Sequence, residues 1–368
     1  MMMSHVFAGK LGLQQRVLPA YRVPFFDRLA VACSQGMCLF AGSPRRSEGI
    51  IEAQGLEIAQ FEQAQNLHLF GGSTYLCWQK GLLQWLEGWD PSVIIMEANP
   101  RYLSSSRAFS WMKRRGRPVI GWGLGAPASS GSLHKLRSSF RQRFVHQFDA
   151  IIAYSTAGAD EYAALGIPRE RLFVAHNAVS SAPSQAPVRV ERGGNPPQIL
   201  FVGRLQARKR LDLLIQACAI LGIDIDLTIV GDGPSRTELS AFASDTYPRT
   251  TFAGALRGRE LEDLFRNADL FVLPGTGGLA VQEAMSFGLP VIVAEGDGTQ
   301  NDLVSGGNGW LVPVGDLDSL VAAMREALHD PARLEKMGMR SYEMVRDHFN
   351  INSMTEVFLN ALDFVEGS

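Results

Sequence analysis

Between Leu270 and Val293 the chain reads LFVLPGTGGLAVQEAMSFGLPVIV, and few folds accommodate that order of residues. Leu270–Leu273 is short and wholly apolar, which suits a strand covered on both faces. Pro274-Gly275-Thr276-Gly277-Gly278 can continue neither a strand nor a helix. Leu279 to Phe287 then has helical spacing, with Gly288 and Pro290 as stop signals. A second apolar run ends at Val293. The reading is a parallel strand, a glycine loop, a helix and another strand. It leaves a helix N-terminus behind exposed backbone N–H groups at the carboxyl end of a strand, a geometry that favours an anion. Glu283, in the second turn of that helix, adds a carboxylate suited to a sugar diol.

A second segment supplies positive charge. The apolar strand Gln198–Val202 runs into Gly203-Arg204-Leu205 and then Arg208-Lys209-Arg210. A helix with apolar Leu211, Leu214, Ile215, Cys218 and Leu221 follows. Arg204 leaves the strand end, and Lys209 stands at or just before the helix start. Five residues apart, both are expected to reach one diphosphate, Arg as a planar fork and Lys as a compact charge.

The clearest boundary is SSAPSQAPVRVERGGNPP, Ser180 to Pro197, a linker by composition. Before it, candidate strands are Leu11–Leu18, Met37–Ala41, Leu67–Phe70, Val93–Met96, Val119–Trp122, Ala150–Ala153 and Leu172–Val174. After it come Ile199–Val202, Leu227–Val230, Thr251–Ala253, Leu270–Leu273 and Val291–Val293. Helical patterns alternate with these strands in both halves, so the expected class is α/β, two doubly wound parallel sheets with right-handed crossovers. The expected domains are residues 1–180 and 198–350, joined by a linker over 181–197. Ligands of such sheets bind beyond the carboxyl ends of the strands, which predicts an interdomain cleft with the anion-favouring loops on its C-terminal side.

Composition excludes several classes. An apolar fraction of 46% and a charged fraction of 20% are ordinary for a soluble globular protein. No apolar run approaches bilayer length, and the start MMMSHVFAGK has no signal-peptide core, so a cytoplasmic protein is expected. Cys33, Cys38, Cys77 and Cys218 lack metal-ligand spacing and read as buried free thiols. Residues 1–180 carry 19 Lys and Arg against 12 Asp and Glu, a charge of +7, and the remainder carries 16 against 25. The basic half suggests an anionic partner such as a phospholipid surface, a lipid diphosphate or an acidic glycan. Basic residues interleave with stacking aromatics in no recognisable module, so nucleic acid is not expected.

The pieces GRLQARKRLDLLIQA, IVGDGP, FAGAL, NADLFVLP, the glycine loop, QEAMSFGLPVIV and NGWLVPVGD follow one another over about 150 residues. Together they closely resemble the family 4 glycosyltransferases of the GT-B fold, over roughly residues 198–350. The resemblance implies two Rossmann-like domains, with a final helix near 351–368 returning to pack on the first. It implies retaining transfer of a sugar from a UDP- or GDP-type donor to a glycan or lipid-linked acceptor in surface-polysaccharide synthesis. No resident cofactor or metal is implied, since Arg204 and Lys209 neutralise the leaving diphosphate, and the departing phosphate can itself take the acceptor proton. Gly203, Gly231, Gly275, Thr276, Gly277, Gly278, Leu279 and Glu283 would line the donor site, Glu283 holding the ribose. The family usually carries a first glutamate, eight positions earlier, that touches the transferred sugar. Here that position is Gly275, and Thr276 is the nearest substitute. The departure leaves a second reading open, a weakened homologue that binds nucleotide sugar or glycan without turnover.

The N-terminal half carries weaker signals. In RVLPAYRVPFF, Pro24 suits a first helical turn, and Arg22 after Tyr21 either meets a phosphate at the cleft wall or stacks on Tyr21 at the surface. Gly121-Trp122-Gly123-Leu124 is another loop after a strand; relatives place a histidine about where Leu124 stands. Of the histidines, His134, His146 and His176 remain as candidates, and Asn177 is expected to line the site. Residues 133–148 form a basic amphipathic stretch, with Leu133, Leu136, Phe140, Phe144 and Phe148 on one stripe. It either packs on the sheet or contacts membrane headgroups. Trp78, Trp85 and Trp89 read as core.

Overall fold

The computed structural model describes residues 6–127, 134–187 and 196–367. Side chains are described for the same residues except 134–137, so much of the linker and the start of the amphipathic stretch lie outside the described residues. The chain divides into two compact units, residues 1–180 with 351–368 and residues 181–350.

In the first unit the elements run β1 (Leu11–Val17), α1 (Val23–Val31), β2 (Met37–Gly42), β3 (Gln60–Gln63), β4 (Gln65–Leu69), β5 (Leu76–Lys80), α2 (Leu82–Trp89), β6 (Val93–Glu97) and α3 (Ser105–Lys113). They continue with β7 (Val119–Gly123), α4 (His134–Val145), β8 (Ala150–Ala153), α5 (Thr156–Ala164) and β9 (Leu172–Val174). Seven strands form one parallel sheet in the order β3-β2-β1-β6-β7-β8-β9. Successive side chains point to opposite faces, so Val93 and Ile95 of β6 enter one core while Ile94 and Met96 enter the other.

The second unit runs β10 (Gln198–Val202), α6 (Leu211–Leu221), β11 (Asp226–Val230), α7 (Arg236–Thr246), β12 (Thr250–Gly254), α8 (Arg259–Asn267), β13 (Leu270–Leu273) and α9 (Leu279–Ser286). It ends with β14 (Val291–Ala294), α10 (Thr299–Leu303), β15 (Gly309–Val312), α11 (Leu317–His329) and α12 (Pro331–Asp347). Its six strands are parallel in the order β12-β11-β10-β13-β14-β15. Every residue of β13 and β14 is buried, because helices cover both faces. Asp316 and Asp330 cap α11 and α12, each accepting a backbone N–H three residues on.

The final helix α13 (Ile351–Glu366) belongs to the first unit. Phe358 is fully buried, 4.9 Å from Phe25 and 5.0 Å from Trp122 between ring centres. The Ile351 N–H donates to the Ser180 carbonyl at 2.9 Å.

Four strands, β3, β4, β5 and β15, depart from the sequence reading. Leu67–Phe70 is not a strand of the parallel sheet; Leu67–Leu69 lies in β4, which pairs antiparallel with β5 as a separate hairpin, and Phe70 begins the turn. Edge strands β3 and β15 were not expected, since QFEQ and GWLV lack the apolar continuity of buried strands. Of the three tryptophans, Trp85 is core, stacked on Phe40 at 5.0 Å, whereas Trp78 sits on the hairpin beneath Arg107. All four cysteines are buried and free.

Phe358 sits at the centre of an aromatic cluster that joins α13 to α1 and β7. Phe358→Ala should cost about 3–5 kcal/mol of unfolding free energy in the first unit, read by denaturant unfolding followed through Trp122 fluorescence.

Candidate active site

In the second unit the strand order reverses between β10 and β13, so the loops leaving these two strands meet at the switch point of the sheet. The β10 loop carries Gly203, Arg204 and a short helical turn, Ala207–Lys209, and the β13 loop is Pro274 to Gly278. They are laced together. The Thr276 N–H donates to the Arg208 carbonyl at 3.2 Å. The Lys209 ammonium donates to the Thr276 carbonyl at 2.6 Å, and Arg208 Nη1 reaches Thr276 Oγ1 at 3.0 Å. Arg204 is exposed just beyond β10, and Arg210 turns aside to pair with Asp212 at 2.9 Å.

Lys209 is 9% exposed. Burial, and then the neighbouring Arg208 charge, pull its ammonium down to about 8. An ammonium has three donors, and the Thr276 carbonyl takes one. The sequence offers Arg204 and Lys209 to one diphosphate; the structure lays Lys209 inward against the glycine loop and leaves Arg204 and Arg208 exposed.

The glycines here are dictated by close backbone approach. A Cβ on Gly275 would overlap the Arg208 carbonyl oxygen and lie 2.6 Å from the Lys209 carbonyl carbon. The position at which the resemblance expects a glutamate therefore has no room for any side chain unless the Arg208-Lys209 backbone moves. A Cβ on Gly277 would overlap the Lys209 ammonium, and Gly277 has a φ of 142°. Gly231, at φ 134°, lies against the Gly203 backbone, so the loop after β11 packs directly on the loop after β10. Gly203 and Gly231 thus shape the loops by letting main chains touch.

The Thr276 N–H, which the sequence reading offers to an anion, is already given to Arg208. The start of α9 remains: Gly278 is its N-cap and has no side-chain cap, with Leu279 the first helical residue. Gln300, on α10 and 1% exposed, donates to the Gly277 carbonyl at 2.9 Å. Sequence reasoning missed Gln300, because nothing in its local spacing announces a contact across 23 residues. Arg208 was legible only as one member of a basic triplet. Glu283 is half-buried, and among the described residues its carboxylate makes no hydrogen bond or ion pair. Burial, then the charge of Glu262, raises its carboxyl above the ordinary range. A shielded carboxylate of this kind suits hydroxyl donors of a ligand.

In the first unit, Arg22 follows β1 and is 7% exposed. Its guanidinium lies 4.4 Å over the Trp122 ring and 5.7 Å from Tyr21, and Nη2 donates to Tyr154 Oη at 3.0 Å. Surface stacking on Tyr21 is thereby replaced by a buried aromatic cage. Arg22 Nη1 is buried with no hydrogen-bond partner. Burial opposes its charge, and Tyr154, Tyr21 and Glu97 outweigh that, holding its pKa above the usual arginine value. Gly123 ends β7 against Tyr162 and Ala98, Leu124 is 53% exposed, and Asn177 and His176 are half-buried after β9. His146 is engaged with the Leu165 carbonyl at 3.0 Å. The side chains of Leu133, His134 and Leu136 lie outside the described residues. Along the rest of that stripe Phe144 and Phe148 are buried, and Phe140 is exposed.

Two outcomes follow from this geometry. Gly275→Ala should lower stability by about 1–3 kcal/mol and weaken nucleoside-diphosphate binding, and Gly275→Glu should do the same rather than raise activity, as thermal unfolding and calorimetry would show. Lys209 is cationic below its pKa, so affinity for a nucleoside diphosphate should fall as pH rises through about 8, with Lys209→Met flattening that fall.

Comparison with known proteins agrees with this architecture. Residues 186–344 match the family described as Glycosyl transferases group 1, and residues 27–178 match the Glycosyl transferase 4-like domain. A GDP-mannose-dependent alpha-mannosyltransferase of Mycobacterium tuberculosis (strain CDC 1551 / Oshkosh) is 31% identical over 274 residues, covering 71% of this chain and 70% of that protein. The lipopolysaccharide core biosynthesis glycosyltransferase LpsE of Rhizobium meliloti (strain 1021) is 24% identical over 301 residues, covering 76% and 87%. Among solved structures, HepE of Anabaena in complex with UDP superposes with a TM-score of 0.71 at 16% identity, covering 96% of this chain and 99% of that one. With two parallel doubly wound sheets, a glycine loop at the switch point of the second and relatives along most of its length, this chain belongs to the group 1 glycosyltransferases, of GT-B fold.

Proposed function

We propose that the protein is a retaining glycosyltransferase that moves a sugar from a UDP- or GDP-linked donor to a hydroxyl of a glycan or lipid-linked acceptor in cell-surface polysaccharide synthesis. The observation that carries this reading is the buried Lys209 ammonium, held against the glycine loop beside the uncapped start of α9, with the half-buried carboxylate of Glu283 on the same helix. As the glycosidic bond breaks, the nucleoside diphosphate gains negative charge. Lys209, Arg204 and the amides around Gly277 and Gly278 oppose that charge without needing to reorganise. The Glu283 carboxylate accepts hydroxyl hydrogens of the ribose. Arg22, a cation buried among aromatic rings, takes a phosphate on the acceptor side, with Tyr21, Gly123 and Asn177 beside the acceptor. Cations occupy the role that a metal ion plays at other diphosphate sites. The relatives are named for GDP-mannose and for lipopolysaccharide core, and the HepE structure is described with UDP, which supports a nucleotide-sugar donor and a surface glycan.

The closed position of Gly275 favours one alternative, that the protein holds nucleotide sugar or glycan without turnover. Incubation with UDP- and GDP-sugars, following free nucleoside diphosphate and isotope transfer, separates the two. Turnover should fall about 10²–10³-fold in Arg204→Ala and in Lys209→Ala. Unchanged turnover in both variants would overturn their roles, and binding with no release in the unaltered protein would establish the alternative.

A further inference from the structure

The β4–β5 hairpin has two unlike faces. Its register pairs Asn66 with Gln79, Leu67 with Trp78, His68 with Cys77 and Leu69 with Leu76. The inner face is polar and bound to the sheet. Asn66 donates to the carbonyls of Arg16 and Ser43 at 2.7 and 2.9 Å, and Gln79 donates to that of Gln15 at 3.0 Å. The alternate side chains form the outer face. Leu67 and Leu69 are exposed, Leu76 and Trp78 half-exposed, and Leu103 extends the row where its N–H joins the Cys77 carbonyl.

Phe70 at the turn is 73% exposed and has a φ of 57°. A bulky residue gains nothing for folding in that position, since it leaves its ring in water and strains its backbone. Phe70 extends the exposed apolar row of Leu67 and Leu69 beyond the end of the strand.

The hairpin strands and the segment around the start of α3 carry their own charge as cations, while Glu48 and Glu97 lie toward Tyr75, Cys77 and Tyr102 of the inner face. From Gln65 to Lys80 the single charged residue is Lys80. From Ala98 to Ser110, the segment joined to the hairpin through Tyr102, the charged residues are Arg101 and Arg107. Arg107 of α3 lies 4.7 Å over the Trp78 ring, and Arg101 precedes Tyr102, which bridges to Cys77. An apolar row ending in an exposed aromatic, rimmed by cations, complements an interface of acyl chains beneath anionic headgroups. No helix among the described residues is long and apolar enough to cross a membrane.

We propose that the outer face of the β4–β5 hairpin docks on the surface of an anionic lipid bilayer, with Leu69 and Phe70 entering the headgroup boundary and Lys80, Arg101 and Arg107 facing lipid phosphates. This places the contact on the hairpin, apart from the amphipathic stretch at 133–148, and it stands independently of the glycosyl-transfer reading.

The test is co-sedimentation with vesicles of phosphatidylcholine containing about one-third phosphatidylglycerol, beside vesicles of phosphatidylcholine alone. The protein should bind the anionic vesicles and release as salt rises. Leu69→Ser with Phe70→Asn should weaken binding about tenfold or more, and Arg101→Gln with Arg107→Gln about fivefold for each charge. Asn accepts the positive φ, so the thermal unfolding of the first variant and its nucleoside-diphosphate binding should be unchanged. Unchanged vesicle binding in that variant would overturn the proposal, as would equal binding to both kinds of vesicle. So would a loss seen only with Phe140→Ser, or dimerisation through the hairpin without vesicle binding.

Discussion

The contact between the turn at Ala207–Lys209 and the glycine loop after β13 organises the second unit's site. Main chain meets main chain there, and four hydrogen bonds tie Thr276 to Arg208 and Lys209. Because the backbones touch, position 275 has no room for a side chain; at 277 a φ of 142° favours glycine, and the lysine can lie flat against the loop. Because the lysine is buried there beside Arg208, its charge is costly, and its pKa is pulled down to about 8. Composition, conformation and electrostatics at this point therefore share one cause.

The same contact bears on the residue missing from the family pattern. A glutamate at 275 would need a loop set farther from the β10 turn. Here the Arg208 carbonyl and the Lys209 backbone fill the space that a side chain at 275 would take. Glycine at 275 belongs with that close packing.

The first unit solves a different problem. Arg22 is buried between Trp122 and Tyr154, where ring faces partly offset its desolvation. Phe358 from the last helix backs the same cluster through Trp122, so the C-terminal segment buttresses a cation that follows the first strand. The polar inner face of the hairpin extends the pattern, with Gln14, Gln79 and Asn66 interlocked over the ends of β1 and β2.

The alternation of apolar runs and helical spacing by itself determined the α/β class and most central strands, since a strand buried on both faces must be continuously apolar and short. The anion-favouring start of α9 and the carboxylate of Glu283 were legible for the same local reason, a glycine loop followed by helical periodicity. Only the tertiary structure decided how that local chemistry is aimed. It turned Lys209 inward, closed position 275 to any side chain, and gave the Thr276 N–H to Arg208. It brought Gln300 to Gly277, and it made Leu67–Leu69 a hairpin rather than a strand of the main sheet. These depend on distances between segments far apart in sequence, and periodicity carries no information about them.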